Sequence, residues 1–463
     1  MTIAIGLALR LAPIAEDPLH PDECLYASWA LAVREGDLWL RGPVIDKPPG
    51  FPYLLALWST VIGPGPTALR LLGALASLVA MVLFFRVARR SWGEWPAWAG
   101  LTLVALSPAA VALDGAALTD PPAVALAMGG IAAALSGAPI QAGLWLGLAG
   151  ATKPQLLAYA PAVLGVLPGR SGRAVAKACV GLAAVVAVVV LWEWVRAPRM
   201  GWASAAYLNY GLSGATGRAD AGEWAALLGW IWGTRPAQAV WILAVVGALV
   251  ATVGGLSKAT RPGPALGIAA SAFAYLAVHL AVGAPPWDRY LLALIPLAGL
   301  AFAWAVSRLG AGLTGPARAL VGPLFGAALA AALVTPALEA SRSMLPLGDT
   351  SRWQGIEGLA DYVRGQVPGR ATILHRDLGW QVSYYLAGYP QDFRWYRDRE
   401  QLVDECARAN PAYVLVVADE PGLGDLEHLA SEGFRLGLRH ATYRRDGHPA
   451  LLLYLVEGKS DGR

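Results

Sequence analysis

The stretch TALRLLGALASLVAMVLFFRVA (67–88) runs directly into Arg89 and Arg90. A helix needs about 20 apolar residues to cross a hydrocarbon core about 30 Å thick. This run meets that length and ends on a basic foot, so it reads as a membrane span. Similar runs recur at 95–113, 119–136, 140–152, 154–168, 174–195, 236–256, 264–283, 289–307 and 318–338. Residues 2–15 would be an eleventh, about 21 Å long at 1.5 Å per residue. No small-residue cleavage site with a basic n-region accompanies it. It reads as a short first span, or as a start placed too late.

The 463-residue composition agrees, at 56% hydrophobic and 15% charged. Soluble domains carry about 25% charged residues, so a soluble enzyme of this length, a disordered chain and a nucleic-acid-binding chain are all disfavoured. Residues 1–340 hold 21 Lys/Arg and 15 Asp/Glu; the last 123 residues hold 15 and 17. The first part is charge-poor, as membrane-embedded chain must be, and the second has the charge density of a water-soluble domain. The net charge of +4 points to no polyanionic partner. Cys24, Cys179 and Cys406 offer neither a disulfide framework nor metal-ligand spacing. Cys179, inside an apolar run, is expected to pack, and Cys24 and Cys406 pair only if the fold brings them together.

Orientation follows from basic residues, which favour cytoplasmic loops. Arg86, Arg89 and Arg90 form one group, Arg170, Arg173 and Lys177 a second, Lys258 and Arg261 a third, and Arg308 and Arg318 a fourth. All fall on one side if eleven spans alternate from an inside N-terminus. The acids Glu16, Asp17, Asp22, Glu23, Glu35, Asp37 and Asp46 then lie outside, with Asp114, Asp120, Asp220, Glu223 and Asp288. The expected fold is a polytopic α-helical membrane protein of about eleven spans over 1–340, its first external loop at 15–66. A small extracytoplasmic α/β domain follows over 341–463. In that domain 351–366, 379–387 and 399–409 read as helices, and 371–375, 412–418 and 450–456 as strands of a partly parallel sheet. No Gly-rich phosphate loop follows any of these strands. The aromatics Trp380, Tyr384, Tyr385, Trp395 and Tyr396 fit either a small core or a sugar-stacking surface.

Carboxylates near a membrane are costly, and each is a functional candidate. The first external loop holds HPDECLY (20–26), then DKPPGFPYLLAL (46–57). Asp22 and Glu23 are adjacent, so on a helix they point apart and only one faces a substrate. The other suits the first turn of a helix opened by Pro21, and a plain N-terminal helix signal would explain both. Asp46 and Lys47 precede a double proline that fixes the backbone. Asp120 precedes Pro121 and Pro122, Lys153 sits in GATKPQ, and Asp288, Arg289 and Tyr290 open the tenth span. Taken singly, each is an interfacial anchor, with Lys47 snorkelling and aromatics forming a belt. Together they describe an external cavity with a base for an attacking hydroxyl and cations for a departing phosphate.

The succession HPDE-x2-Y, DKPP-x2-PYLLAL, ALR, TDP, GLAGATKP and DRYLLALIPLAGL resembles the GT-C superfamily of polytopic glycosyltransferases. The resemblance spans roughly residues 5–310. Within the superfamily it points to the dolichyl-phosphate-mannose–protein mannosyltransferase-like family, which includes the bacterial lipid A aminoarabinose transferases. The resemblance implies that Asp22 is the catalytic base. It implies that Lys47 binds the lipid phosphate and that Asp46, Asp120, Lys153, Arg289 and Tyr290, with Glu23, bind substrate. The acid before the lysine is often Glu in the family; the shorter Asp46 puts a metal role there in doubt, so a divalent ion remains an open cofactor. The implied partners are a polyprenyl-phosphate sugar donor, membrane lipids and an acceptor hydroxyl on protein, lipid or envelope glycan. The implied place is the plasma membrane. A transporter or flippase of lipid-linked sugars would share the polar cavity, although no internal repeat is evident and the charges gather at one face. A third reading gives the function to the soluble domain and leaves the membrane part as an anchor.

Overall fold

A computed structural model describes residues 1–15, 17–168, 171–196, 199–210, 221–253, 263–281, 286–311, 313–342 and 352–459. Expectations resting on Glu16, Arg170, Asp220, Lys258 and Arg261, and on the Arg318 side chain, lie outside the described residues. The chain divides into two compact units, Met1–Ile14 with Ala32–Pro346, and Ala15–Leu31 with Leu347–Arg463. Residues 15–66 are therefore divided between them.

The helices are α1 (Thr2–Leu11), α2 (Pro21–Arg34), α3 (Gly50–Ile62), α4 (Pro66–Trp92), α5 (Glu94–Leu106), α6 (Pro108–Leu113), α7 (Asp120–Leu135) and α8 (Pro139–Thr152). A 3-10 turn (Pro154–Tyr159) leads to α9 (Ala160–Val166), α10 (Gly172–Arg196), α11 (Trp202–Tyr210) and α12 (Ala221–Leu228). Then come α13 (Arg235–Val253), α14 (Gly263–Ala281), a 3-10 turn (Asp288–Ala293), α15 (Ile295–Ala311) and α16 (Gly315–Ala340). Proline opens α4, α6, α7, α8 and α16, where its missing N–H has no helical partner to lose.

Among the described residues, five helices are long and apolar enough to cross a bilayer alone: 66–92, 172–196, 264–281, 288–311 and 319–340. A pair bent by 93°, 222–231 with 235–250, makes a sixth if it is one span. The other expected spans are helical but shorter or broken. The run 95–113 breaks at Ser107–Pro108, because Pro108 cannot donate into α5, and α7 and α8 have 16 and 14 residues. Helices α8 and α10 meet where Gly143 and Gly181 leave no room for a Cβ, the small-residue contact usual between helices in lipid. All three cysteines are free. Cys179 is exposed on α10 rather than packed, because only 11% of that helix's most apolar window is buried and the rest faces outward, where lipid is its solvent. Asp114, at the end of α6, forms an ion pair within the first unit. Its Oδ2 lies 3.0 Å from Arg10 Nε and accepts from Ser77 Oγ at 2.7 Å.

The second unit contains α17 (Ile356–Gln366), β1 (Thr372–His375), α18 (Gly379–Tyr385), β2 (Asp392–Trp395), α19 (Arg399–Arg408), β3 (Ala412–Val417), α20 (Glu420–Ser431), β4 (Phe434–Tyr443) and β5 (Pro449–Lys459). The sheet order is β2-β1-β3-β5-β4, with β2, β1 and β3 parallel and β5 and β4 antiparallel. Side chains of β1 and β3 alternate between two cores. Ile373, Leu415 and Val417 pack with Leu359 and Val363 of α17, while Leu374, Val414 and Val416 pack with Leu402 of α19 and Leu429 of α20. A strand covered on both faces is apolar throughout, which is why β1, β3 and β5 are readable as continuous runs.

Candidate active site

In the first unit, the loop before α3 is tied down from α10. Arg196 donates from Nη2 to Leu40 O at 3.0 Å, and Arg41 donates to Val195 O at 2.6 Å. Trp192 Nε1 donates to Tyr53 Oη at 2.7 Å, and Tyr53 in turn donates to Leu38 O. These bonds fix the chain entering DKPPG. Lys47 Nζ lies 2.8 Å from Asp46 Oδ2, with the two side chains 19% and 9% exposed. Gly50 completes the motif because α3 packs against the end of α8, where an added Cβ would stand 2.6 Å from Ala151 O. The motif is thereby held beside Lys153, the residue that caps α8.

Lys153 forms a buried ion pair with Asp120, whose other oxygen accepts from Thr119 Oγ1 at 3.3 Å. Two peptide segments converge here. Helix α7 begins at Asp120, and the α8 backbone turns extended at Lys153 before Pro154. The Lys153 ammonium sits over the Tyr290 ring, 4.6 Å from its centroid, and the Arg289 guanidinium stands 5.8 Å from the same centroid. Arg289 and Lys47 both act electrostatically on Lys153. Lys47, Lys153 and Arg289 are thus gathered with Asp46, Asp120 and Tyr290.

Sequence reasoning missed the wall behind Tyr290. Trp224 of α12 stacks on it at 6.3 Å and 13°, and His279 of α14 meets it at 4.8 Å. Tyr275 lies 4.4 Å from His279, and all three are under 4% exposed. His279 Nδ1 is 2.8 Å from Tyr275 O, which assigns the proton to Nδ1 and leaves Nε2 as an acceptor in the neutral ring. Among the described residues, His279 Nε2, Tyr275 Oη and Trp224 Nε1 have no hydrogen-bond partner. The available signal was a lone histidine in an apolar run, nine residues before Asp288.

Asp22 and Glu23 belong to the second unit. Glu23 Oε2 accepts from His20 N at 2.9 Å, a carboxylate at the third helical position reaching back to the N-cap. Its residue is 2% exposed. Asp22 N donates to His20 Nδ1 at 3.2 Å, and the Asp22 side chain is 34% exposed, 3.8 Å from that nitrogen. Of the two neighbours, Glu23 closes the helix start and Asp22 is the more accessible. The aromatic group at 380–396 divides as well. Tyr396 is buried and donates to Asp425 at 2.8 Å, Tyr385 Oη accepts from Leu19 N at 2.8 Å, and Trp380 and Trp395 are exposed.

The donor set does not fit a divalent ion. Asp46 and Asp120 each hold a lysine ammonium where a metal would compete. Among the described residues, no three His, Cys, Asp or Glu side chains meet.

The chain has the GT-C fold. It is similar over nearly its whole length to ArnT from Cupriavidus metallidurans. The apo form gives a TM-score of 0.70 at 14% identity, covering 98% of this chain and 97% of that one. The same protein bound to undecaprenyl phosphate gives 0.69 at 15% identity, again covering 98% and 97%. The apo oligosaccharyltransferase of Archaeoglobus fulgidus gives 0.59 at 11%, covering 100% of this chain and 74% of that one. By sequence, the family model for dolichyl-phosphate-mannose-protein mannosyltransferase matches residues 46–202, the span that carries Lys47, Asp120 and Lys153. No curated protein matches by sequence.

Proposed function

We propose that the chain is a membrane glycosyltransferase moving a sugar from a polyprenyl-phosphate-linked donor to an acceptor hydroxyl, with inversion. The observation that carries this is the grouping of Lys47, Lys153 and Arg289 around Asp120 and Tyr290, in a fold shared with a protein bound to undecaprenyl phosphate. Three cations held by fixed backbone are what a departing phosphate monoester requires. Asp22 accepts the acceptor's proton as its oxygen attacks the anomeric carbon. The bond from that carbon to the phosphate oxygen breaks, and polyprenyl phosphate leaves with the electron pair, held by Lys47 and Arg289. Lys153 contributes positive field while Asp120 keeps it charged and in place. Tyr290, Trp224 and His279 wall the sugar side. Asp46 orients Lys47.

The reaction is assigned to the extracytoplasmic face of the plasma membrane, with eleven spans. The second unit is assigned to the same extracytoplasmic side of the membrane. The basic loops on one side and the acidic loops on the other support that orientation. The test is transfer from a synthetic polyprenyl-phosphate sugar by purified protein, with release of polyprenyl phosphate and loss of activity in Asp22→Asn.

A further inference from the structure

At the far ends of α4, α7 and α8 lies a cavity of about 530 Å³ whose lining includes Arg86, Arg89, Arg90, Leu83, Ser136 and Trp145. No acidic residue is among those lining it. Arg90 donates to Ser136 Oγ at 2.7 Å, closing α4 against the end of α7, and Arg89 is propped over the Phe85 ring at 5.7 Å. The three guanidiniums occupy the last turns of a helix long and apolar enough to span a bilayer. Below them the wall is Val79 and Leu83 on one helix and Trp145 on another.

This cavity is separate from the Asp120–Lys153 site. Helix α7 runs from Asp120 to Leu135 over 16 residues, and α8 returns from Pro139 to Thr152. Sixteen residues rise about 24 Å, most of a hydrocarbon core. An anion at the arginines is not the donor phosphate at Lys153. Basic residues gathered at one end of a span mark the cytoplasmic side. Arginine forks match phosphate oxygens, and basic pockets between spans on that side take anionic headgroups. A soluble anion would use the guanidiniums and leave the apolar wall without a role. A lipid uses both.

We propose that this cavity is a binding site for an anionic phospholipid of the cytoplasmic leaflet. The phosphodiester is gripped by Arg86, Arg89 and Arg90, and one acyl chain follows Val79 and Leu83. The test is lipid retention by the full chain in nanodiscs and in detergent, read by native mass spectrometry with phosphatidylglycerol and phosphatidylcholine as probes. Wild type should retain phosphatidylglycerol at least tenfold over phosphatidylcholine. Arg86→Gln with Arg89→Gln, both exposed positions, should abolish that preference. Ala133→Trp, which narrows the apolar wall and keeps every charge, should also lower retention. Inorganic phosphate at tens of millimolar should not displace the lipid. Undiminished phosphatidylglycerol retention in the double arginine variant would overturn the proposal. So would displacement by phosphate together with normal retention in Ala133→Trp, which would make the cavity a soluble-anion site. Neither outcome bears on sugar transfer, which is measured separately.

Discussion

At residue scale, the two neighbours in HPDE show what a motif carries and what it leaves out. The sequence indicates that one acid opens the helix and one is available. The hydrogen bond from His20 N to Glu23 Oε2 decides which, and nothing local distinguishes the two beforehand. Asp120 and Lys153 were each legible beside their prolines, but their pairing joins the start of α7 to the end of α8, and no local pattern encodes that contact. Tyr275 and His279 were not legible because each sits in an apolar run like the others, and Trp224 because it lies between two such runs; all three become distinctive only through the aromatic cluster at Tyr290. Removing one partner of a buried ion pair strands the other charge at a cost of about 3–5 kcal/mol, whereas replacing both is often near neutral. Asp120→Asn should therefore lower the unfolding midpoint and abolish transfer. Asp120→Asn with Lys153→Met should recover the midpoint while staying inactive. Recovery of transfer in the double variant would show that the pair is only structural.

At element scale, the strands that were read are those buried on both faces. β2 was missed because its four residues form an exposed edge, and β4 because charged residues and three register shifts break its pattern. The helix α20 follows β3 after only Ala418 and Asp419, and its Asp419 cap accepts from Gly422 N at 3.2 Å. In β1, burial pushes the His375 imidazole down to about 4 from an ordinary value of 6.5. The unfolded chain therefore binds a proton near pH 6.5 that the folded chain refuses until about pH 4. Stability is full above that window and falls as pH drops through it, by up to about 3 kcal/mol. Denaturant unfolding of the full chain, followed by a probe on the second unit at pH 7.5 and pH 5, should show this loss, and His375→Gln should flatten it. In the first unit, α3 reaches α8 only because position 50 lacks a Cβ. Gly50→Leu should push DKPP from Lys153 and reduce transfer at least tenfold with the helical content unchanged. Normal turnover in that variant would show that Lys47 works without this contact.

At the scale of the whole molecule, the division into a charge-poor helical part and a charge-rich mixed sheet was legible from composition. The GT-C fold was legible from the order of the motifs. The span count was not, because proline and glycine cut several apolar runs into pieces shorter than a bilayer. Nor was the grouping of Ala15–Leu31 with the second unit, since a loop's allegiance depends on packing far away in sequence. Topology follows from charge and can be checked directly. In a variant lacking Cys179, a cysteine at position 361 should react with a membrane-impermeant maleimide in intact cells, and one at position 171 only after permeabilisation; the reverse pattern would invert the orientation. The central claim is that this protein breaks a sugar–phosphate bond, with Asp22 as base and Lys47 at the leaving group. The most direct measurement is release of polyprenyl phosphate from a labelled polyprenyl-phosphate sugar by purified protein in the presence of acceptor. Wild type should release it in step with acceptor glycosylation, and Asp22→Asn should be slower by about 10²–10⁴-fold at an unchanged unfolding midpoint. Full turnover by Asp22→Asn, or movement of intact donor across proteoliposomes with its sugar still attached, would contradict the account.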